Sequence, residues 1–162
     1  MSNLSLFPPE IIQAAQDAQR AYPAVPACVT LAQWAIESAY GREIPPGSNN
    51  YFGIKAVRGQ AFVMARTHEF IGGRMVSVSQ PFARYPSATA CFLAHARLLA
   101  DSPIYADARA AGGEAGTDWR DFVAAMAKHY ATAPNYATVI IHEIEDNALD
   151  LYDLSPEQPL VA

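Results

Sequence analysis

Cysteine is scarce in this chain: Cys28 and Cys91 are the two present among 162 residues. Two thiols so far apart make neither a disulfide framework nor a zinc ligand set. Each lies in an alanine-rich, helix-favouring context where a free buried thiol is the commoner state; a bridge between them is the alternative. Clustered lysine and arginine are also missing, and the formal net charge is −5, so a nucleic-acid backbone finds no counter-surface. No apolar run approaches the roughly 20 residues of a membrane span. The opening Met-Ser-Asn-Leu-Ser has neither the charged nor the apolar region of a secretory leader. His68, His95, His129 and His142 fall in no HExxH or other zinc spacing, and no GxGxxG, Walker loop or GxSxG elbow occurs. These absences leave, for an enzyme, a reaction without cofactor or metal, run by carboxylates and a phenol.

What is present is a hydrophobic chain (51%, against 17% charged) long enough for one domain with a real core. That domain is expected over residues 1–155, with 156–162 as a frayed tail. Its organising stretch is Leu31 to Gly41, which carries a single carboxylate, Glu37, in an otherwise apolar run. A helix here is buried on most sides. Gln33, four residues earlier, shares the face of Glu37, and Gly41 suits a C-cap at positive φ. Desolvation at the open end of such a helix raises a carboxyl pKa, as a general acid requires. The plainer alternatives are a pair with Arg42 or Arg66, or a partly exposed helix-end charge.

In order along the chain, Pro8-Pro9 opens a first helix to about Tyr22, striped by Ile11, Ile12, Ala15 and Ala18, and Pro26 starts the Glu37 helix. Residues 45–50 form a loop leading to Asn50-Tyr51-Phe52-Gly53-Ile54-Lys55. Two alternating runs, about 62–70 and 75–82, flank Gly72-Gly73 as a hairpin. Glu69 then sits near the hairpin tip, where surface charge is the ordinary explanation. Ser87 caps a helix to about Asp101, with Phe92, Leu93, Ala96, Leu98 and Leu99 inward. A short helix spans 103–111, closed by Gly112-Gly113. Thr117 or Asp118 caps another to about Tyr130, and Pro134 opens a last helix to about Leu151, striped by Val139, Ile140, Ile144, Ala148 and Leu151. Asn49, Asn50, Trp34, Tyr40, Tyr51, Phe52 and Tyr130 suit a sugar groove, where rings stack on pyranose faces and amides bond hydroxyls; singly, each is better explained by the core. Arg66, Thr67 and His68 could wall a polar cleft. The fold class is α+β, mainly helical, with one β-hairpin.

Four segments, taken in order, resemble the motifs of the bacterial N-acetylglucosaminidase family of peptidoglycan hydrolases, glycoside hydrolase family 73. Ala32 to Gly41 resembles its Ala-Gln-x-Ala-x-Glu-Ser-Gly-Trp-Gly, and Asn50 to Lys55 its Asn-Leu-Phe-Gly-Ile-Lys. Thr67 to Phe70 resembles Thr-x-Glu-Tyr, and Tyr130 to Ala137 resembles Tyr-Ala-Thr-Asp-Pro-x-Tyr-Ala. The departures are Ala39 and Tyr40 for Gly and Trp, Ala133 for Asp, and Ala83 at a common Arg. The resemblance implies a lysozyme-like fold, in which a groove separates a helical lobe from a hairpin lobe. It implies cleavage between N-acetylglucosamine and N-acetylmuramic acid, with Glu37 as general acid, Tyr130 near the anomeric carbon and Glu69 as the base that activates water. Gln33, Tyr40, Asn50, Tyr51, Phe52 and Tyr136 are the expected sugar contacts. A lytic transglycosylase, a muramidase and a non-catalytic wall-binding module are the rivals.

A wall substrate and a start without a leader suggest release by lysis or export by another route. A phage endolysin, or an effector injected by type VI secretion with an immunity protein that plugs the groove, fits this expectation. The chain is expected to act as a monomer on wall peptidoglycan, with no nucleic-acid or membrane partner.

Overall fold

The computed structural model describes residues 6–112 and 118–155. The expected closure at Gly113, the alternative cap at Thr117 and the tail 156–162 lie outside them. Six helices and one antiparallel hairpin are seen among the described residues: α1 (Pro9–Ala21), α2 (Ala27–Ser38), β1 (Phe62–Ile71), β2 (Arg74–Ala83), α3 (Ala88–Asp101), α4 (Ala106–Gly112), α5 (Trp119–Tyr130) and α6 (Tyr136–Asp146). Single 3-10 turns precede α4 and follow α6, at Pro103–Tyr105 and Leu149–Tyr152.

The apolar run that marks α2 in the sequence puts it at the centre of the core. Ten of its twelve residues are buried, with α1, α3, α5 and α6 around it. Pro26 leaves its N-terminus without a local side-chain cap. The cap comes instead from the far end of the chain, where Asp153 Oδ1 accepts from the Cys28 N–H at 2.7 Å. Cys28 and Cys91 are both free and buried. Gly112 lets α4 meet α5 closely: a Cβ there would come within 2.5 Å of Phe122 Cβ.

The hairpin forms where the alternation predicts it. Gly72 and Gly73, at φ of 59° and 82°, make the two-residue turn, and the register runs from Ile71↔Arg74 to Phe62↔Ala83. Its far end docks on the loop after α2, with Ala56 N donating to Pro81 O and Ala83 N to Ile54 O. Asn50 locks this junction: it is buried, its amide donates to the carbonyls of Ile54 (2.8 Å) and Ala83 (2.9 Å), and its Oδ1 accepts from the N–H of Ile54.

Three sequence expectations shift. α2 ends at Ser38, with Ala39 rather than Gly41 as its left-handed cap, and Ala39, Tyr40 and Gly41 stand in succession at φ of 48°, 58° and 80°. The last helix starts at Tyr136, two residues after Pro134, and stops at Asp146. A 3-10 turn follows left-handed Ala148, so Leu149 is buried while Leu151 stays 80% exposed. On α3, Leu98 faces outward. The helix ends are set by backbone that the apolar pattern does not encode, and at Leu98 and Leu151 the pattern itself points to the wrong face.

Two predictions follow from these local conflicts. Ala39→Gly relieves a left-handed alanine and should raise unfolding free energy by about 1 kcal/mol. Gly41→Ala should lower it by about 1–3 kcal/mol, because a Cβ there would stand 3.1 Å from the Trp34 ring; denaturant unfolding measures both. His95 is wholly buried and burial pushes its pKa down to about 3. Its folded pKa lies below the unfolded value near 6.5, so the unfolded chain binds the proton first. Stability is therefore full above pH 6.5 and falls as pH drops towards 3, by up to about 1.4 kcal/mol per unit. His95→Phe should flatten that slope in unfolding curves measured across the window.

Candidate active site

Glu37 occupies the last turn of α2, where the helix stops and the chain turns left-handed. Its neighbour Ser38 closes this break: the hydroxyl donates to Trp34 O at 2.6 Å and accepts from Gly41 N at 2.8 Å. Glu37 is solvent-exposed on one side, while the protein packed behind it excludes enough water to raise its carboxyl pKa above the ordinary 4.5. A hydrogen bond from the Tyr136 hydroxyl to Oε1, 2.7 Å long, favours the ionised form but does not offset that desolvation. Neither arginine of the plainer alternative is engaged with it. Arg42 donates to Ala39 O, and Arg66 to the Ser77 hydroxyl.

The phenol that holds Glu37 is itself held from behind. Gln33, wholly buried one turn earlier on α2, donates from Nε2 to the Tyr136 oxygen at 3.1 Å. The Gln33–Tyr136–Glu37 chain thus fixes one carboxyl oxygen. Tyr130 lies flat against Tyr136, with ring centres 5.6 Å apart and planes at 12°. Behind it, His95 meets Tyr130 edge-on and stacks on Phe52 at 3.9 Å.

Glu37 opens on a groove of about 530 Å³. It is lined by Glu37, Glu43, residues 44–46, Asn50 and Gly53 from α2 and the chain after it, and by residues 64–67 of β1 with Phe82 of β2 from the hairpin. Four consecutive β1 residues line it because the strand presents its edge there. With Ile71↔Arg74 closing a two-residue turn, positions 64 and 66 turn their N–H and C=O groups away from β2. The alternation agrees with Pro81 and Ala83, whose outward groups bond residues 56 and 54 on the opposite edge.

The expected site residues divide accordingly. Glu37 and Asn50 line the groove, but Asn50 is 1% exposed and spends its amide on the junction described above. Gln33, Phe52 and Tyr136 are buried too, and Gln33 and Tyr136 reach Glu37 from behind through hydrogen bonds. Tyr40 is half-buried against Phe7 and Trp34, and donates to Glu143 at 2.7 Å; burial and Glu143 push its pKa up to about 12. Tyr51 packs on Trp34 and Phe92. The phenol in contact with Glu37 is Tyr136, with Tyr130 one ring removed. Glu69 stands near the tip of the hairpin, three pairs from the turn with Val76 opposite, and is partly covered there. Its Oε1 accepts from Lys55 Nζ at 2.9 Å and from Gln80 Nε2, and these bonds lower its pKa. It does not stand among the groove-lining residues. The sequence reading missed Glu43, a second carboxylate on the groove. Its N–H bonds back to Ser38 O at 2.8 Å, a return of the chain that no periodicity announces.

Comparison with known proteins gives a consistent result. A family model for glucosaminidases, described as mannosyl-glycoprotein endo-beta-N-acetylglucosaminidase, matches residues 12–149. The chain is 30% identical over 144 residues to a probable N-acetylmuramidase of Lactococcus lactis subsp. cremoris, a match covering 85% of this chain and 31% of that protein. It therefore spans about a third of that relative's length. Among solved structures, the catalytic domain of the Listeria monocytogenes autolysin Auto superposes with a TM-score of 0.78 at 27% identity, over 89% of this chain and 84% of that one. A mutant peptidoglycan hydrolase from Sphingomonas sp. A1 gives 0.68 at 31% identity, over 92% and 95%. The mainly helical, lysozyme-like fold with its single hairpin is shared with these neighbours.

The site geometry makes a signed prediction. With Glu37 in the general-acid role expected from the sequence, the working form is protonated, so activity should fall as pH rises through its pKa, which lies above 4.5. The Tyr136 bond lowers that pKa, so Tyr136→Phe should move the alkaline limb of the kcat/KM profile to higher pH. A limb that stays in place, or moves down, removes Tyr136 from this role.

Proposed function

Because this chain belongs to the glucosaminidase family (glycoside hydrolase family 73), we propose that it hydrolyses the β-1,4 bond between N-acetylglucosamine and N-acetylmuramic acid in bacterial peptidoglycan. The observation that carries the reading is Glu37: a carboxyl of raised pKa, held at one oxygen by Tyr136 and lining a groove. It would give its proton to the bridging oxygen as the C1–O bond breaks and an oxocarbenium-like sugar forms. The edge of β1 supports an acetamido sugar in particular, since the N–H and C=O groups at 64 and 66 match one acetamide unit.

Water must then be activated. Glu69, kept ionised by Lys55 and Gln80, is the base in this reading, brought over the sugar when the hairpin wall closes. Glu43 is the second candidate, favoured by its place on the groove as it stands. The N-acetylmuramidase name of the Lactococcus relative favours a second reading in which the other wall bond is cut. The same chemistry suits a wall-lysing endolysin or a secreted effector, and the effector reading calls for an immunity protein seated over the groove.

Mass spectrometry of digested muropeptides separates these products. Reducing N-acetylglucosamine ends are expected; reducing N-acetylmuramic acid would mean a muramidase, and anhydro-muramyl ends a transglycosylase. Glu37→Gln should cut kcat by at least about 10²-fold while binding persists; an unchanged biological effect would leave only a wall-binding module. Between the carboxylates, Glu69→Gln should cost about 10²-fold or more in kcat and Glu43→Gln far less. The reverse order transfers the base to Glu43.

A further inference from the structure

The charges of this chain are divided unevenly between its two lobes. Residues 51–86, which hold the hairpin, carry Lys55, Arg58, Arg66, Arg74 and Arg84 against Glu69 alone. That lobe stands at +4, and the remainder, with six cations against fifteen carboxylates, at −9; together they return the net −5 of the whole. Lys55 is paired with Glu69. The four arginines are exposed, and Arg66 lines the groove that Glu37 opens on. Its guanidinium touches the Ser77 hydroxyl at 3.2 Å, a neutral partner.

With the lactyl carboxyl of the muramic acid tied up in the amide to its stem, the disaccharide itself is neutral and gives such a wall nothing to neutralise. Building on the peptidoglycan reading, we propose that the cationic hairpin wall, through Arg66, binds the free carboxylates of the peptide stems that hang from the glycan. Arg66 lines the groove in which the glycan would lie, and a guanidinium is the side chain best matched to a carboxylate. The lobe charges act at longer range. A polyanionic wall is repelled by the −9 body and attracted by the +4 hairpin, so the groove side leads on approach, within a screening length of about 8–10 Å. An anionic lipid surface is the competing partner for a basic hairpin with apolar Phe70 and Met75 exposed near its tip. It would meet the tip, however, and leave the groove-lining position of Arg66 unexplained.

The test uses the Glu37→Gln form, so that binding is read without cleavage. Soluble glycan oligomers bearing intact stems are compared with the same oligomers stripped of stems by an amidase, the lactyl carboxylates so freed being capped as methylamides, by fluorescence anisotropy at about 50 mM and about 300 mM salt. Stemmed oligomers should bind roughly fivefold tighter at low salt, and high salt should erase most of that preference. Arg66→Gln in the same background should remove most of the preference. Arg20→Gln, the same charge change in an exposed pair on α1, should leave it intact. Equal affinity for the two oligomers, or a preference that survives Arg66→Gln, overturns the proposal. So does binding to anionic phospholipid vesicles that depends on Arg66 while stems make no difference. Wild-type protein digested in parallel keeps the two claims apart: absence of any cleaved sugar counts against hydrolysis, while the binding ratio still decides the role of Arg66.

Discussion

The hydrogen bond from Tyr136 to Glu37 is the contact on which the site depends, because it joins two segments 99 residues apart. It fixes one oxygen of a carboxyl that, exposed on one side, would otherwise be free to rotate. It needs a buried donor behind it, which Gln33 supplies from the same helix, and a flat surface beside it, which Tyr130 supplies. The buried helix α2, the start of α6 and the end of α5 therefore have to pack in one arrangement for a single proton to be held in place. Desolvation works against the tyrosine bond and prevails, which keeps the pKa of Glu37 above that of an exposed carboxylate.

The residues that flank Glu37 owe their identity to the way α2 ends. Ser38 satisfies a backbone N–H that the left-handed turn exposes, and Gly41 combines a positive φ with a close approach to Trp34. Asn50, at the next break, supplies both donors and an acceptor to a junction between loop and hairpin. A motif of this kind looks like a list of ligand contacts when read along the sequence. In three dimensions much of it is the carpentry that sets one carboxyl and one strand edge on opposite sides of a groove.

That difference explains what was legible from sequence. Glu37 could be read because a lone charge in an apolar helical run is conspicuous, and the hairpin because alternation around Gly72-Gly73 has one economical solution. Ser87 and Asp118 were readable as caps and do accept the expected N–H groups. The burial of Gln33, Phe52 and Tyr136 was not, since a polar or aromatic residue gives the same signal whether it faces a groove or packs behind one. Glu43 escaped because it lies in an irregular return of the chain, and the ends of α2 and α6 because left-handed Ala39 and Ala148 carry no glycine to mark them.

Everything chemical in this account comes back to the protonation of one side chain, which can be observed without substrate. NMR titration of the glutamate carboxyl carbons, with Glu37→Gln to assign the resonance, reads it directly. A midpoint above 4.5 that rises further in Tyr136→Phe is the predicted result; a midpoint at or below 4.5 would contradict Glu37 as the proton donor.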